Sequence, residues 1–222
     1  MKKLLQISIY TCLFLILQSS SCSKTNDKKN IDCTNNTMPL PQMAKDYFLF
    51  KNGSYWVYEN TSTNETDSFY VDGFTDRTGD NTQYKYGIEL NRCYEDYSYT
   101  VSGKLLGKLS KSVYPFEPDN ATDFNKQTFF ISEFNSLTNQ SYSRVYFIGD
   151  KIFAAEDLGG SISQFDSLSV NNYFYKNILQ VTNTVTGIDY TKQSIYAKNI
   201  GMIQFTTNDN ITWILKRYHI VQ

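Results

Sequence analysis

Residues 47–58 read YFLFKNGSYWVY and predict how a β-sheet begins. Asn52 and Gly53 form a pair that is typical of tight turns, because both residue types tolerate a positive φ angle. The residues that follow, 54–59, are rich in aromatic and β-branched side chains, which favours a strand. This stretch therefore predicts a turn that leads directly into a strand.

Short runs of the same character recur along the chain and predict an all-β fold. They lie at residues 66–72, 84–90, 97–101, 105–114, 127–133, 143–148, 151–156, 178–182, 194–198, 200–207 and 211–221. No sustained helical spacing follows residue 22. We expect an antiparallel meander that forms a barrel, a half-barrel or a sandwich, with its first and last strands as neighbours.

Polar composition predicts where the chain leaves the sheet. Residues 72–81 and 157–172 are expected to be loops, and residues 92–96 a turn that contains Cys93. Strict alternation predicts that residues 84–90 form one half-buried strand.

The charge balance and the histidine count exclude several classes of function. The chain has 21 basic and 22 acidic residues, and no basic stripe suited to nucleic acid. His219 is its only histidine, which excludes a His-rich zinc site. Asp72, Asp76 and Asp80 lack the spacing of a calcium loop. We therefore expect no metal, no cofactor and no nucleic-acid partner.

Residues 1–21 have the layout of a secretory signal: a charged start at Lys2 and Lys3, an apolar run over residues 4–17, and then small residues. The run is shorter than the roughly 20 residues that span a bilayer. Two outcomes are open. Cleavage near Ser21 releases a soluble protein, or Cys22 becomes acylated. The segment resembles a bacterial lipoprotein signal, which implies acylation of Cys22.

The polar residues 22–45 predict a flexible, disordered tether, followed by a single β-rich domain at residues 46–222. Cysteine parity supports acylation, because Cys12 leaves with the signal and an acylated Cys22 leaves an even pair. Cys33 and Cys93 are therefore a candidate disulfide, which would stabilise the fold by about 4 kcal/mol on the chain-entropy model.

Two short motifs carry a resemblance to a known type of protein. Phe50, Gly53, Trp56 and Tyr58 make an F-x-x-G-x-x-W-x-Y opening, and residues 196–203, YAKNIGMI, make a Y-A-K-x-x-G-M-I closing motif. Together with the signal, they resemble Bacteroidota-type cell-envelope lipoproteins of unknown function. The resemblance implies attachment to the outer membrane through a lipid anchor. The residues after Cys22 lack an acidic run, which favours the periplasmic side over the cell surface.

The same resemblance suggests a modification. Asp166-Ser167-Leu168 is similar to the Asp-Ser/Thr-apolar sequence that carries O-linked glycans in exported proteins of this type. Ser167 is thus a candidate O-glycosylation site.

Three functional hypotheses remain, and no catalytic motif supports an enzyme. The first is a non-catalytic binding or structural role, in which Tyr94, Tyr97 and Tyr99 stack on a small apolar or sugar ligand. The second is a glycosidase-like hydrolase that uses carboxylates, with candidates Glu89, Glu95 and Asp96. The third is a scaffold that contacts another envelope protein through an exposed sheet edge.

Overall fold

Thirteen strands and one short helix make up the part of the chain that the computed structural model describes. The described residues are 33–34, 37–85, 88–104, 107–116, 128–135, 140–148, 151–154, 160–182 and 191–222. The strands are β1 (Thr37–Met38), β2 (Tyr55–Asn60), β3 (Thr66–Lys85), β4 (Ile88–Gly103), β5 (Gly107–Phe116), β6 (Thr128–Asn135), β7 (Gln140–Ile148), β8 (Lys151–Ala154), β9 (Ser161–Val170), β10 (Tyr173–Thr182), β11 (Thr191–Ala197), β12 (Gly201–Thr207) and β13 (Thr212–His219). The helix, α1, spans Gln42–Phe48. The predicted all-β fold class is confirmed. The predicted signal helix and Cys22 lie outside the described residues.

The strands form one meander that is open at a single place in the described sheet. Their order is β8-β7-β6-β5-β4-β3-β2-β13-β12-β11-β10-β9, and β1 adds to β4 in parallel. Strands that follow one another from β2 to β8, and from β9 to β13, are antiparallel neighbours. From β2 onward, only β8 and β9, at the two ends of this order, are consecutive without being paired. Of the three architectures predicted, the sheet adopts the half-barrel.

The first and last long strands pair in the middle of the sheet, as the sequence predicts. The register runs from Trp213 opposite Asn60 to His219 opposite Tyr55. Because the two ends of the sheet-forming chain meet here, the free edges come from the middle of the chain.

The opening and closing motifs contact one another. The Trp56 indole N–H donates to the Ile200 carbonyl at 2.6 Å, and the Tyr58 hydroxyl donates to the Met202 carbonyl at 2.7 Å. Gly201 has a φ of 89°, and a Cβ added there would approach the Phe50 ring at 2.8 Å. Glycine is therefore required at this turn both by its conformation and by the aromatic ring against it.

Residues 37–50, which we call the N-terminal strap, pack against the sheet. Leu40 and Ala44 are buried, and Thr37 pairs with Cys93. The prediction that the flexible tether extends to residue 45 is therefore wrong for this segment. Seven-residue α1 has little helical stability of its own, so packing of Ala44, Tyr47 and Phe48 stabilises it.

Four local predictions are wrong, and pairing between strands explains each of them. Residues 72–81 belong to β3, residues 92–96 to β4, and most of residues 157–172 to β9, whereas each was expected to be a loop or a turn. Residues 84–90 were expected to form one strand, but β3 ends at Lys85 and β4 starts at Ile88. In each case pairing with a partner strand overrides local composition.

The core lies where the strap meets the inner face of the central strands. Its largest fully buried side chains are Tyr58, Tyr97, Phe69, Phe205, Ile178, Leu179, Ile203 and Leu215. Phe205 stacks on Trp213 with ring centroids 6.1 Å apart and meets Tyr58 edge-on at 5.2 Å. These aromatic side chains are thus used in packing.

Candidate functional site

A polar pocket of about 300 Å³ opens between α1 and the β9–β10 hairpin. Nine residues line it: Met43, Asp46, Tyr47, Gln164, Phe165, Asp166, Asn177, Ile178 and Lys198. They come from the helix, from two strands and from the turn after β11. The volume is at the lower end of the range for small-molecule sites.

A break in the β9–β10 ladder forms one wall of this pocket. The register is regular from Tyr173↔Val170 to Thr182↔Ser161, but the pair of Asn177 with Asp166 is missing. Asn177 has a φ of 53°, in the left-handed region that asparagine tolerates better than most residues. Its carbonyl accepts hydrogen bonds from the Tyr47 hydroxyl at 3.0 Å and from the Lys198 N–H at 3.2 Å. The break therefore turns β10 toward α1 and opens the ladder beside Asp166.

An ion pair holds the opposite wall. Lys198 Nζ lies 2.8 Å from Asp46 Oδ2, and the hydrogen bond to this carboxylate raises the pKa of Lys198. Gln42 donates to the other oxygen, Asp46 Oδ1, at 2.9 Å, and the Asn199 N–H donates to the Asp46 carbonyl at 2.7 Å. Asp46 is thus fixed in position as an acceptor.

Tyr47 closes the inner side of the pocket. Burial raises the pKa of its hydroxyl, the nearby Lys198 lowers it and Asp46 raises it. The hydroxyl therefore stays protonated near neutral pH and remains a donor to Asn177.

The pocket combines carboxylates, carboxamides, one ammonium group and two aromatic rings. Asp46, Asp166 and Lys198 carry a formal net charge of −1. Phe165 is 47% exposed, so its ring is accessible to solvent. Acceptors and donors beside an exposed ring can hydrogen-bond the hydroxyls of a polar ligand while the ring packs on its apolar face.

The tyrosines that were expected to stack on a ligand are in the core. Tyr97 and Tyr99 are 2% and 5% exposed, and Phe74 packs on Tyr97 with centroids 4.7 Å apart. Tyr99 borders an apolar cavity of only about 40 Å³, too small for an apolar ligand. Of Tyr94, only its backbone in β4 is described. The prediction of a stacking face is therefore wrong for Tyr97 and Tyr99.

The Tyr97 hydroxyl is buried and has no hydrogen-bond partner. Among the described residues, it is the one buried side-chain oxygen or nitrogen atom without a partner. Burial raises the pKa of Tyr97 well above its ordinary value. This group is a neutral donor held in the core.

Glu95 connects the strap to β4. Its carboxylate accepts from the Leu40 N–H at 2.9 Å and lies 2.8 Å from Lys45 Nζ. Burial raises the pKa of Glu95, but the hydrogen bonds from Lys45 and Leu40 outweigh it and lower the pKa overall. Glu95 therefore has a structural role. The side chains of the other two candidate carboxylates, Glu89 and Asp96, lie outside the described part.

The remaining sequence candidates fall in three places. Cys33 and Cys93 form a disulfide, with Cα atoms 5.4 Å apart. Ser167 is exposed on β9, opposite Lys176, where its hydroxyl is open to modification. His219 is exposed at the end of β13 and lies beside Tyr55, with ring centroids 5.9 Å apart.

Sequence reasoning missed the pocket, although it singled out Asp166 for another reason. Asp46, Asn177 and Lys198 are far apart along the chain and carry no common motif. The only local signal was Asn177 itself, a residue type that favours positive φ inside a strand pattern.

Within the described ranges, no three His, Cys, Asp or Glu side chains are grouped so that they could hold a metal ion. No described helix has both the length and the apolar character needed to cross a membrane. Comparison of the chain with protein-family models, with curated proteins and with solved structures finds no match.

Proposed function

We propose that this protein is an exported lipoprotein of the cell envelope, anchored through an acylated Cys22, and that its β domain binds a small, hydroxyl-rich ligand such as a saccharide. The polar pocket between α1 and the β9–β10 hairpin carries the binding part of this proposal. The role is non-catalytic.

The composition of the pocket supports a polar ligand over an apolar one. Carboxylates and carboxamides match the hydroxyls of a sugar, and the accessible Phe165 ring matches the apolar face of a pyranose. The apolar cavity beside Tyr99, of about 40 Å³, lacks the room for an apolar ligand.

The disulfide supports export. Bonds between cysteines persist in oxidising compartments outside the cytoplasm. Because Cys33 and Cys93 are bonded to each other, neither is available to Cys22. Cys12 lies in the predicted signal, so Cys22 would be the one unpaired cysteine of the mature chain, as acylation requires.

One observation favours a hydrolase as the second candidate: Asp46 and Asp166 line the same pocket. Glycosidases use two carboxyl groups that face each other across the substrate. Both oxygens of Asp46 are already engaged, by Gln42 and Lys198, which suits a fixed acceptor better than a group that exchanges protons. We therefore place binding ahead of hydrolysis.

A glycan array probed with the purified full-length protein tests the ligand proposal. For any saccharide that binds, Asp166→Asn should weaken binding by about tenfold, corresponding to one lost charge-assisted hydrogen bond of roughly 1.4 kcal/mol. Asp209→Asn is the matched control, because Asp209 is exposed in the β12–β13 turn, away from the pocket. Absence of binding to every saccharide, or equal losses in both variants, would overturn the proposal. Release of shortened glycans would favour the hydrolase.

Metabolic labelling with an alkyne fatty acid tests the anchor. The wild-type protein and a Cys12→Ala variant should take up the label, whereas Cys22→Ala should not. Intact mass spectrometry should find the mature chain starting at Cys22. A labelled Cys22→Ala variant, or an unlabelled wild type cleaved near Ser21, would contradict lipidation.

A further inference from the structure

The β9–β10 hairpin ends in a tip that carries two exposed aromatic rings. β10 pairs with β11 from Ile178 onward, so residues 173–176 extend beyond β11 and pair only with β9 among the described strands. Tyr173 and Phe174 are 57% and 65% exposed, the highest values among the large apolar side chains that the structure describes. Two rings exposed together at the end of a hairpin indicate a surface that contacts a partner.

The two rings lie on opposite faces of the hairpin. Tyr173 is opposite Val170, which is buried, and Phe174 is opposite Ser169, which is exposed. Stable protein interfaces bury about 1,200 Å² or more, whereas two aromatic side chains bury at most about 500 Å². The tip is therefore too small to be a stable protein interface by itself. A narrow wedge with a ring on each face suits the headgroup region of a bilayer, where aromatic side chains are enriched.

The charge of the tip also suits a bilayer surface. The sequence of residues 167–176 is SLSVNNYFYK, which contains no acidic residue. Lys176 is exposed and lies two residues along β10 from Phe174, on the same face. Lipid headgroups carry phosphate groups, which attract this lysine and meet no carboxylate of the tip.

The tip projects from the end of the sheet at which β2 begins. Ile178 pairs with Ala197, and Ala197 pairs with Gly201, the first residue of β12. Each strand from β10 to β13 is antiparallel to the next, and β13 is antiparallel to β2, so β10, β12 and β2 run in the same direction. Residues 173–176, which precede Ile178, therefore extend past the end of the sheet where Tyr55 starts β2.

The N-terminal strap begins beyond the same end. β3 is antiparallel to β2 and pairs with its first residue at Tyr70, so the rest of β3 extends past that end. Cys93 pairs with Asp80 in this extension and is bonded to Cys33. The connection from Cys33 to Cys22 therefore starts at the end of the sheet where the hairpin tip projects.

We propose that the hairpin tip contacts the surface of the membrane that holds the Cys22 anchor, with Tyr173 and Phe174 among the lipid headgroups. This inference rests on the proposed lipid anchor. Only residues 23–32 lie between Cys22 and Cys33, so the anchor is at most about 40 Å from the disulfide. Because the anchor keeps the tip close to the bilayer, a contact that is weak by itself is occupied for much of the time.

The contact gives the domain a defined orientation. A domain held by the anchor alone can rotate about its tether, and a second attachment at the tip removes that freedom. Asn177, which borders the polar pocket, lies four positions after Tyr173 in β10, a rise of about 13 Å along the strand. The pocket is therefore held near the membrane surface.

A polarity-sensitive dye on one introduced cysteine tests this contact. The full-length lipidated protein is reconstituted in liposomes of phosphatidylethanolamine and phosphatidylglycerol. Ser169→Cys places the dye opposite Phe174 at the tip. Asp209→Cys, the matched control, places it in the β12–β13 turn at the other end of the sheet. Lipids that carry a quencher at the headgroup should remove most of the emission from the tip dye and little from the control dye.

Removing the rings tests their part in the contact. Tyr173→Ser combined with Phe174→Ser should lower the quenching at Ser169→Cys to the level of the Asp209→Cys control. Ile211→Ser, which replaces an exposed apolar side chain in the β12–β13 turn, should leave the quenching at the tip unchanged. Cooperative thermal unfolding of each labelled variant establishes that it folds.

The fatty-acid label separates the two ways in which this inference can fail. An acylated protein whose tip dye is quenched no more than the control dye overturns the membrane contact and leaves the anchor in place. Quenching at the tip that persists without both rings also overturns the contact. A protein that takes up no fatty acid overturns the anchor and the contact together.

Discussion

The N-terminal strap is attached in different ways to two arms of the sheet, the arm that contains β4 and the arm that contains β10 to β12. On the β4 side, the Cys33–Cys93 disulfide, four residues before the strap begins, parallel pairing at Thr37 and the Glu95 carboxylate hold it. On the β10–β12 side, side-chain and turn hydrogen bonds hold α1 at the rim of the polar pocket, and no disulfide is present among the described residues there.

This difference suggests a division of roles. The β4 attachment includes a covalent bond, so it positions the strap. The β10–β12 attachment consists of hydrogen bonds that surround a pocket of about 300 Å³, so a ligand there can add contacts between α1 and the sheet. A bound ligand stabilises the folded state to an extent set by its occupancy. We expect this stabilisation to strengthen the β10–β12 attachment.

Among the changes that test this comparison, loss of the disulfide should lower the stability of the protein most. Replacing Cys33 and Cys93 together by alanine should lower the free energy of unfolding by about 4 kcal/mol, because the loop of 60 residues is no longer closed in the unfolded chain. Urea unfolding followed by tryptophan fluorescence measures the change.

The matched change on the other side is Asp46→Asn, which removes the ion pair with Lys198. Partly exposed ion pairs contribute little, so we expect a much smaller loss. Equal losses on the two sides would contradict the division of roles.

The sequence predicts the parts of this fold that depend on local chemistry. The Asn52-Gly53 turn, the strand after it and the last two strands are found where they are expected, because turn residues and dense aromatic runs act over a few positions. The Cys33–Cys93 disulfide was predicted from the number of cysteines alone.

The parts that were missed depend on distant partners. Gly73 and Asp76 lie in β3 because Thr100 and Tyr97 pair with them, and polar β9 is a strand because β10 returns beside it. The pocket requires α1, β9 and the turn at Lys198 to meet, which no single window of sequence contains. Such contacts are decided by topology rather than propensity.

Two buried tyrosines allow the contribution of a single hydroxyl group to stability to be compared between the two arms. The Tyr58 hydroxyl bonds across to β12 at Met202, whereas the Tyr97 hydroxyl on β4 has no partner. Tyr58→Phe should lower the free energy of unfolding by about 1 kcal/mol, and Tyr97→Phe should raise it by up to about 1 kcal/mol, because a buried unpaired group is destabilising.

Thermal and urea unfolding of the two variants measure both changes in the free energy of unfolding. The variants are directly comparable because each substitution removes one oxygen atom. A loss of stability in Tyr97→Phe would mean that its hydroxyl has a partner after all, such as an ordered water molecule. The contrast between the two arms would then be smaller at this level.

The smallest expected effect is the pH dependence of the β4 attachment. The pKa of Glu95 is lower in the folded protein than the ordinary value of about 4.3. The folded state therefore favours the ionised carboxylate, so its contribution is present above that value and is lost as the pH falls through the folded pKa. Because the side chain is 33% exposed, we expect less than about 1 kcal/mol at neutral pH.

Comparing Glu95→Gln with the wild type from pH 7 to pH 2.5 isolates this contribution. The variant should be less stable at pH 7, and the two melting temperatures should converge in acid, where the wild-type carboxyl group is also neutral. Lys45→Met should reproduce only part of the difference, since the Leu40 N–H still donates to the carboxylate in that variant. A difference that stays constant with pH would assign the effect to packing, and the β4 attachment would then rest on the disulfide and the β1–β4 pairing alone.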